Sequence, residues 1–211
     1  MPARKATIEN GSVMRHRTAL PLLLCLLLQP AGWGHAQPAD REQEIEPPAL
    51  TRQVPLRFKR HNFQALCYDS VGCTVVYNGH QQARQPDGKA SPPKPADDNG
   101  NAWGSTELGI RNFPGPAEVR WTSKDGATHE ASVDIGRIFR DELVWHAVPR
   151  EKMTDFHAGP VAGAPDMYLE VDDRTISVYT AMFIPTRDEQ IPGNKDSNFR
   201  KDIFLVWRRT Y

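Results

Sequence analysis

From Leu56 onward the chain alternates apolar and polar residues in short runs, and the runs stop at Gly, Pro, Asn or Asp. A period of two puts every second side chain on one face of a strand, so this pattern builds half-buried sheets and not helical stripes. Leu56 and Phe58, then Phe63, Ala65 and Cys67, alternate in this way. Residues 74–77 (Thr-Val-Val-Tyr) read as a second strand, ended by Asn78-Gly79. The clearest hairpin joins residues 117–122 to 128–135 through Ser123-Lys124-Asp125-Gly126, because Asp-Gly between alternating runs is a strong turn signal. Residues 144–148 read as a further strand. Residues 167–171 and 174–184 form another hairpin around Asp172-Asp173, its second arm rich in β-branched and aromatic residues. Residues 202–208 close the chain as a strand. Ile135, Ile138 and Phe139 fall at i, i+3 and i+4 behind Asp134, which predicts one short N-capped helix ending near Glu142. The expected fold is mainly β (α+β): an antiparallel sheet or β-sandwich of six to eight strands with one short helix and long loops.

Three polar interruptions cut this pattern, at residues 81–106, 149–166 and 185–197. The first holds Ser91-Pro92-Pro93-Lys94-Pro95 and Asp97-Asp98-Asn99-Gly100-Asn101, and loops of this length are usually functional or disordered. Residues 37–55 are charged and proline-rich, which predicts a flexible leader. A single β-rich domain is expected over residues 56–211.

The beginning of the chain is an address. Arg15 and Arg17 precede an apolar stretch over residues 19–28, and Gly34 and Ala36 supply a small-x-small ending. That stretch is too short to span a bilayer, which takes about 20 apolar residues. Residues 1–36 therefore read as a Sec-type signal peptide cleaved near Ala36–Gln37, and the product as periplasmic. Residues 1–13 add nothing to such a signal, so Met14 is the expected start, with a long n-region as the alternative. Cys25 sits inside the apolar stretch after Leu22-Leu23-Leu24, without the small residues that a lipidation site wants.

Cleavage changes the arithmetic. It removes four basic residues and one acidic residue, leaving 22 basic against 25 acidic and a net charge of −3. No basic field remains to attract nucleic acid or anionic lipid. It also removes Cys25, leaving Cys67 and Cys73. In an oxidising compartment two cysteines six residues apart predict a disulfide closing the turn between neighbouring strands. The spacing is wrong for a redox CxxC pair, and no second pair exists to complete a zinc site.

Tests for chemistry are negative at the level of motifs. His61, His80, His129, His146 and His157 make no His-x-His or His-x-x-x-His pair, so metal has no local ligand cluster. An EF-hand with its glycine at Gly100 would place Pro95 and Thr106 at ligand positions, and neither can serve. There is no Gly-x-Ser-x-Gly, P-loop or Gly-x-Gly-x-x-Gly. No cofactor and no enzymatic activity are expected, although scattered Ser, His and Asp can converge in space. Trp121 and Trp207 lie in strands and read as core, Trp145 is ambiguous, and Trp103 lies in a polar loop. There it serves either as a latch onto the domain's own surface or as an anchor for a partner.

Residues 57–69 (Arg-Phe-Lys-Arg-His-Asn-Phe-Gln-Ala-Leu-Cys-Tyr-Asp) with 73–77, residues 110–119 (Ile-Arg-Asn-Phe-Pro-Gly-Pro-Ala-Glu-Val) and residues 121–126 (Trp-Thr-Ser-Lys-Asp-Gly) carry a resemblance. Together they resemble a family of small periplasmic immunity proteins that protect bacteria from type VI secretion effectors of the phospholipase D class. The resemblance covers residues 56–211. It implies a protein that binds a cognate secreted lipase, as a monomer or in a 1:1 complex, without stable membrane insertion. Phospholipase D active sites hold phosphate with His and Lys, so acidic loops are candidates to enter such a basic pocket. Asp97, Asp98, Asn99, Trp103 and Glu107 are the candidates of the first loop, and Asp188 and Glu189 those of the third. The bland alternative is that these acids merely solvate their loops. Two other classes remain open: a periplasmic module for a small ligand or cell-wall fragment, and a cryptic hydrolase.

Overall fold

The alternating runs become strands of two sheets. The computed structural model describes residues 40–86, 88–96, 103, 104, 106–154 and 163–211. The expected signal peptide, with Met14 and its expected cleavage site, and Asp97, Asp98 and Asn99 lie outside the described residues. In chain order the elements are β1 (Arg41–Glu44), α1 (Ala49–Gln53), β2 (Arg60–Tyr68), β3 (Val71–Tyr77), β4 (His80–Arg84), β5 (Glu107–Arg111), β6 (Ala117–Thr122) and β7 (Thr128–Val133). They continue as α2 (Ile135–Ile138), β8 (Asp166–Asp172), β9 (Thr175–Ala181), β10 (Ile184–Pro185), β11 (Phe199–Arg200) and β12 (Ile203–Thr210).

The larger sheet has the order β1-β12-β9-β8-β2-β5 and the smaller one β4-β3-β6-β7, while β10 and β11 pair separately. All pairings are antiparallel except β2 with β8, which run parallel from Asn62↔Asp166 to Tyr68↔Asp172. That long-range pairing departs from the purely antiparallel expectation. The fold is mainly β, with more strands than the six to eight expected. The additions are β1, β4, β5 and the two-residue pair β10 and β11.

Local chemistry explains the turns. Asn78 (φ 52°) and Gly79 (φ 73°) supply the two left-handed residues that close the β3–β4 hairpin. Asp134 caps α2 by accepting from the Arg137 N–H at 2.9 Å. Two expectations fail for physical reasons. Residues 144–148 do not form a strand: the Val144 N–H donates to Leu56 O, and His146 is tied through its backbone to the Thr51 hydroxyl. The segment 37–55 is not a flexible leader over its described part. Asp40 pairs with Arg209, β1 lies on β12, and α1 seats Thr51 at zero exposure.

Inward residues of both sheets share one core. Phe63, Ala65, Met167, Leu169, Val171, Ile176 and Val178 come from the larger sheet, and Cys73, Val75, Tyr77, Val119 and Trp121 from the smaller. Complete burial of a large apolar side chain of this kind contributes about 1.5–3 kcal/mol. Two links tie the sheets at one corner. Cys67 of β2 is bonded to Cys73 of β3, with Cα atoms 6.3 Å apart. The Trp121 indole N–H donates to Asp173 O at 2.6 Å, across to the β8–β9 turn. Trp145, ambiguous in the sequence, is buried and meets Phe204 edge-on.

Candidate functional site

The first long loop returns to the outer face of the larger sheet. Before the acidic run, the Ser91 N–H donates to Ser70 O, and the Ser91 and Ser70 hydroxyls meet at 3.1 Å. The Lys94 ammonium then reaches Glu170 of β8 at 2.6 Å and lies 5.6 Å from the Tyr179 ring centre. After the acidic run, Trp103 packs on Tyr168 and Tyr179, with ring centres 4.6 and 4.7 Å away. The Gly104 N–H donates to Gln64 Oε1 at 2.7 Å, and Thr106 N–H to Phe63 O at 3.0 Å. The register explains the convergence: Gln64 pairs with Tyr168, and Tyr168 with Tyr179, so the three side chains share one face across adjacent strands.

The electrostatics of this patch are set by burial and pairing. Glu170 is only 3% exposed. Burial pulls the Lys94 ammonium toward neutrality, but the hydrogen bond and charge of Glu170 outweigh it and hold its pKa above the ordinary lysine value. Burial pushes the Tyr168 hydroxyl up, so it stays protonated. Trp103 thus lies against the domain's own aromatics, the latch arrangement.

The remaining candidate acids serve the fold as well. Glu107 accepts from Asn78 Nδ2 at 2.5 Å and from Gln82 Nε2 at 2.6 Å, joining β5 to the β3–β4 hairpin. Asp188 pairs with Lys152 at 2.5 Å, with both side chains more than half exposed. Glu189 accepts from the Gly193 N–H at 2.8 Å. Among the described residues no hydrogen bond or ion pair links Glu107 with Asp188 or Glu189. They stand on separate elements, β5 at one edge of the larger sheet and the β10–β11 loop.

Apolar neighbours of these acids escaped the sequence reading. Leu108, beside Glu107, is 71% exposed. Ile191, two residues after Glu189, is 60% exposed, and Phe183, stacked on Phe199, is 47% exposed. No sequence signal marked Leu108. It stands two residues from buried Ile110, which on a regular strand is the same face, and the register shift on β2 at Leu108–Gly109 (Gly109 φ 67°) turns it outward.

One arrangement has the look of catalytic machinery. Ser123 Oγ lies 2.8 Å from His129 Nε2 and donates to Asp125 Oδ1 at 2.5 Å. In a hydrolytic triad the carboxylate holds the histidine's far nitrogen. Here Asp125 instead holds the serine and the Ala127 N–H, and Ser123 is 2% exposed. The cluster locks the β6–β7 turn. His61 is likewise structural. Asn112 Oδ1 accepts from its Nδ1 at 3.0 Å, leaving Nε2 to accept from the Tyr77 hydroxyl at 2.9 Å. Burial lowers its pKa and that of His146.

Among the described residues no three His, Cys, Asp or Glu side chains come together as a metal-ligating group, and no helix is long and apolar enough to cross a membrane. The outer face of the smaller sheet is a shallow open surface bearing Thr74, Val76, Glu118, Arg120, Glu130 and Ser132. No family model matches the chain, and neither a curated protein nor a solved structure is significantly similar to it.

Proposed function

We propose that the exported chain is a periplasmic immunity protein that acts by binding, not catalysis, and neutralises a type VI secretion toxin of the phospholipase D class. The observation that carries this reading is the company kept by the candidate acids. Leu108 projects beside Glu107, and Ile191 lies in the loop of Asp188 and Glu189. Protein interfaces draw affinity from apolar anchors and draw on-rate and specificity from charge, so such pairs suit a partner-binding surface.

Two features support it further. The loop that contains Asp97 and Asp98 is anchored at Lys94 before them and at Trp103 and Gly104 after them. Anchoring both ends lowers the ordering cost of binding. The Cys67–Cys73 bond suits an oxidising compartment. The resemblance described above supplies the partner class, and a basic phosphate-binding pocket is the complement of an acidic loop.

The test is calorimetry of the chain with a catalytically inactive phospholipase D-class toxin. The expected result is a saturable 1:1 complex. Asp97→Lys with Asp98→Lys is expected to weaken it through slower association, and Leu108→Ala through faster dissociation. No heat of binding at micromolar concentrations would remove the reading.

A further inference from the structure

The strand β1 is joined to the fold differently from every other long strand. All four of its residues are exposed, so it buries no side chain. Its register on β12 places Arg41 opposite Thr210, Glu42 opposite Arg209, Gln43 opposite Arg208 and Glu44 opposite Trp207. Its acids fall at alternate positions, and each meets a cation. Asp40 receives Arg209, with Nε to Oδ1 at 2.7 Å. Glu42 pairs with Arg137 and accepts from the Trp207 indole N–H at 2.9 Å. Glu44 meets Arg137 at 3.1 Å and Arg140 at 3.4 Å. The edge of β12, flanked by α2, thus reads an extended segment by charge at every second residue.

The attachment beyond β1 is of another kind. Pro47 and Pro48 precede α1, where buried Thr51 exchanges two hydrogen bonds with the His146 backbone. Between β1 and the prolines, the Ile45 N–H donates to Val206 O and its side chain packs against the core. The arm is therefore a strand held by charge and by one apolar residue, joined to a firmly seated body through a proline pair.

We propose that the β12 edge, with Arg137, Arg140 and Arg209, is a docking site for an acidic strand, occupied in cis by β1 and open to exchange with the β1 of a second copy. The second copy is the occupant because its strand carries the same acids in the same register. The proposal is independent of the toxin-binding reading. In cis the strand competes at an effective concentration of about millimolar, so exchange becomes visible at high protein concentration or when the cis strand is weakened.

The test mixes two variants of the chain purified from the periplasm, Gln43→Cys and Arg208→Cys. Both positions are exposed, and they face each other in register. An oxidised heterodimer between them requires that the strand of one copy lie on the β12 of the other. The expected result is this heterodimer on a non-reducing gel. E42K with E44K is expected to raise its yield several-fold when placed in the Arg208→Cys copy and to lower it when placed in the Gln43→Cys copy. Absence of the heterodimer overturns the proposal. So does an equal yield from Gln43→Cys mixed with Ser132→Cys, which lies on the other sheet, or a yield indifferent to which copy carries the charge reversal.

Discussion

Trp103→Ala tests whether the long loop is fastened to the larger sheet. The indole makes two aromatic contacts, with Tyr168 and Tyr179 at 4.6 and 4.7 Å. Such pairs are worth about 0.5–1.5 kcal/mol each, so the latch contributes about 2 kcal/mol to keeping the loop seated. That corresponds to roughly a 30-fold rise in local opening when the ring is removed. The reporters are the Gly104 N–H, held by Gln64, and the Thr106 N–H, held by Phe63 O. Hydrogen exchange followed by mass spectrometry should show both amides exchanging about 30-fold faster, with the β6–β7 hairpin amides unchanged. Exchange at Gly104 and Thr106 that matches the parent chain would refute the latch.

Further predictions concern stability. Cys67→Ser with Cys73→Ser should cost about 2 kcal/mol in urea unfolding, and reduction of the parent should reproduce the loss; a reduced parent as stable as the oxidised one would contradict this. Lys94→Met removes the cation paired with the buried Glu170 carboxylate and should cost about 2 kcal/mol, whereas adding Glu170→Leu should recover most of it. A double variant no more stable than the single would show that the pair matters for more than its charge. His61 and His146 are kept neutral by burial, so their folded pKa values lie below that of the unfolded chain. Below about pH 6.5 the unfolded chain then binds more protons, and unfolding free energy falls as the pH falls through that range. Urea midpoints that stay level on acidification from neutral pH would argue against burial as the cause.

Elements governed by neighbours in sequence were legible. The β6–β7 hairpin follows from Asp125-Gly126, the β3–β4 turn from Asn78-Gly79, the α2 cap from Asp134, and the disulfide from two cysteines flanking one turn. Elements governed by distant partners were not. The strand β1 has no apolar residue, and its pairing depends on Arg137 and Arg209, far along the chain. The strand β4 (His-Gln-Gln-Ala-Arg) is polar, and its pairing with β3 supplies what propensity does not. Residues 144–148 carry an apolar run, yet their backbone partners are Leu56 and Thr51. Of the candidate site, residue types and loops were readable. The engagement of Glu107 with Asn78 and Gln82 was not, because it depends on how β5 meets the β3–β4 hairpin.

The proposed role is protection of a cell by binding a phospholipase. Its most direct test is survival of a bacterium that produces a phospholipase D-class toxin in its periplasm, with and without the full-length chain. Growth is expected only with the chain present, and deletion of the proposed export segment over residues 14–36 is expected to abolish that protection. Equal killing with and without the exported chain would contradict it.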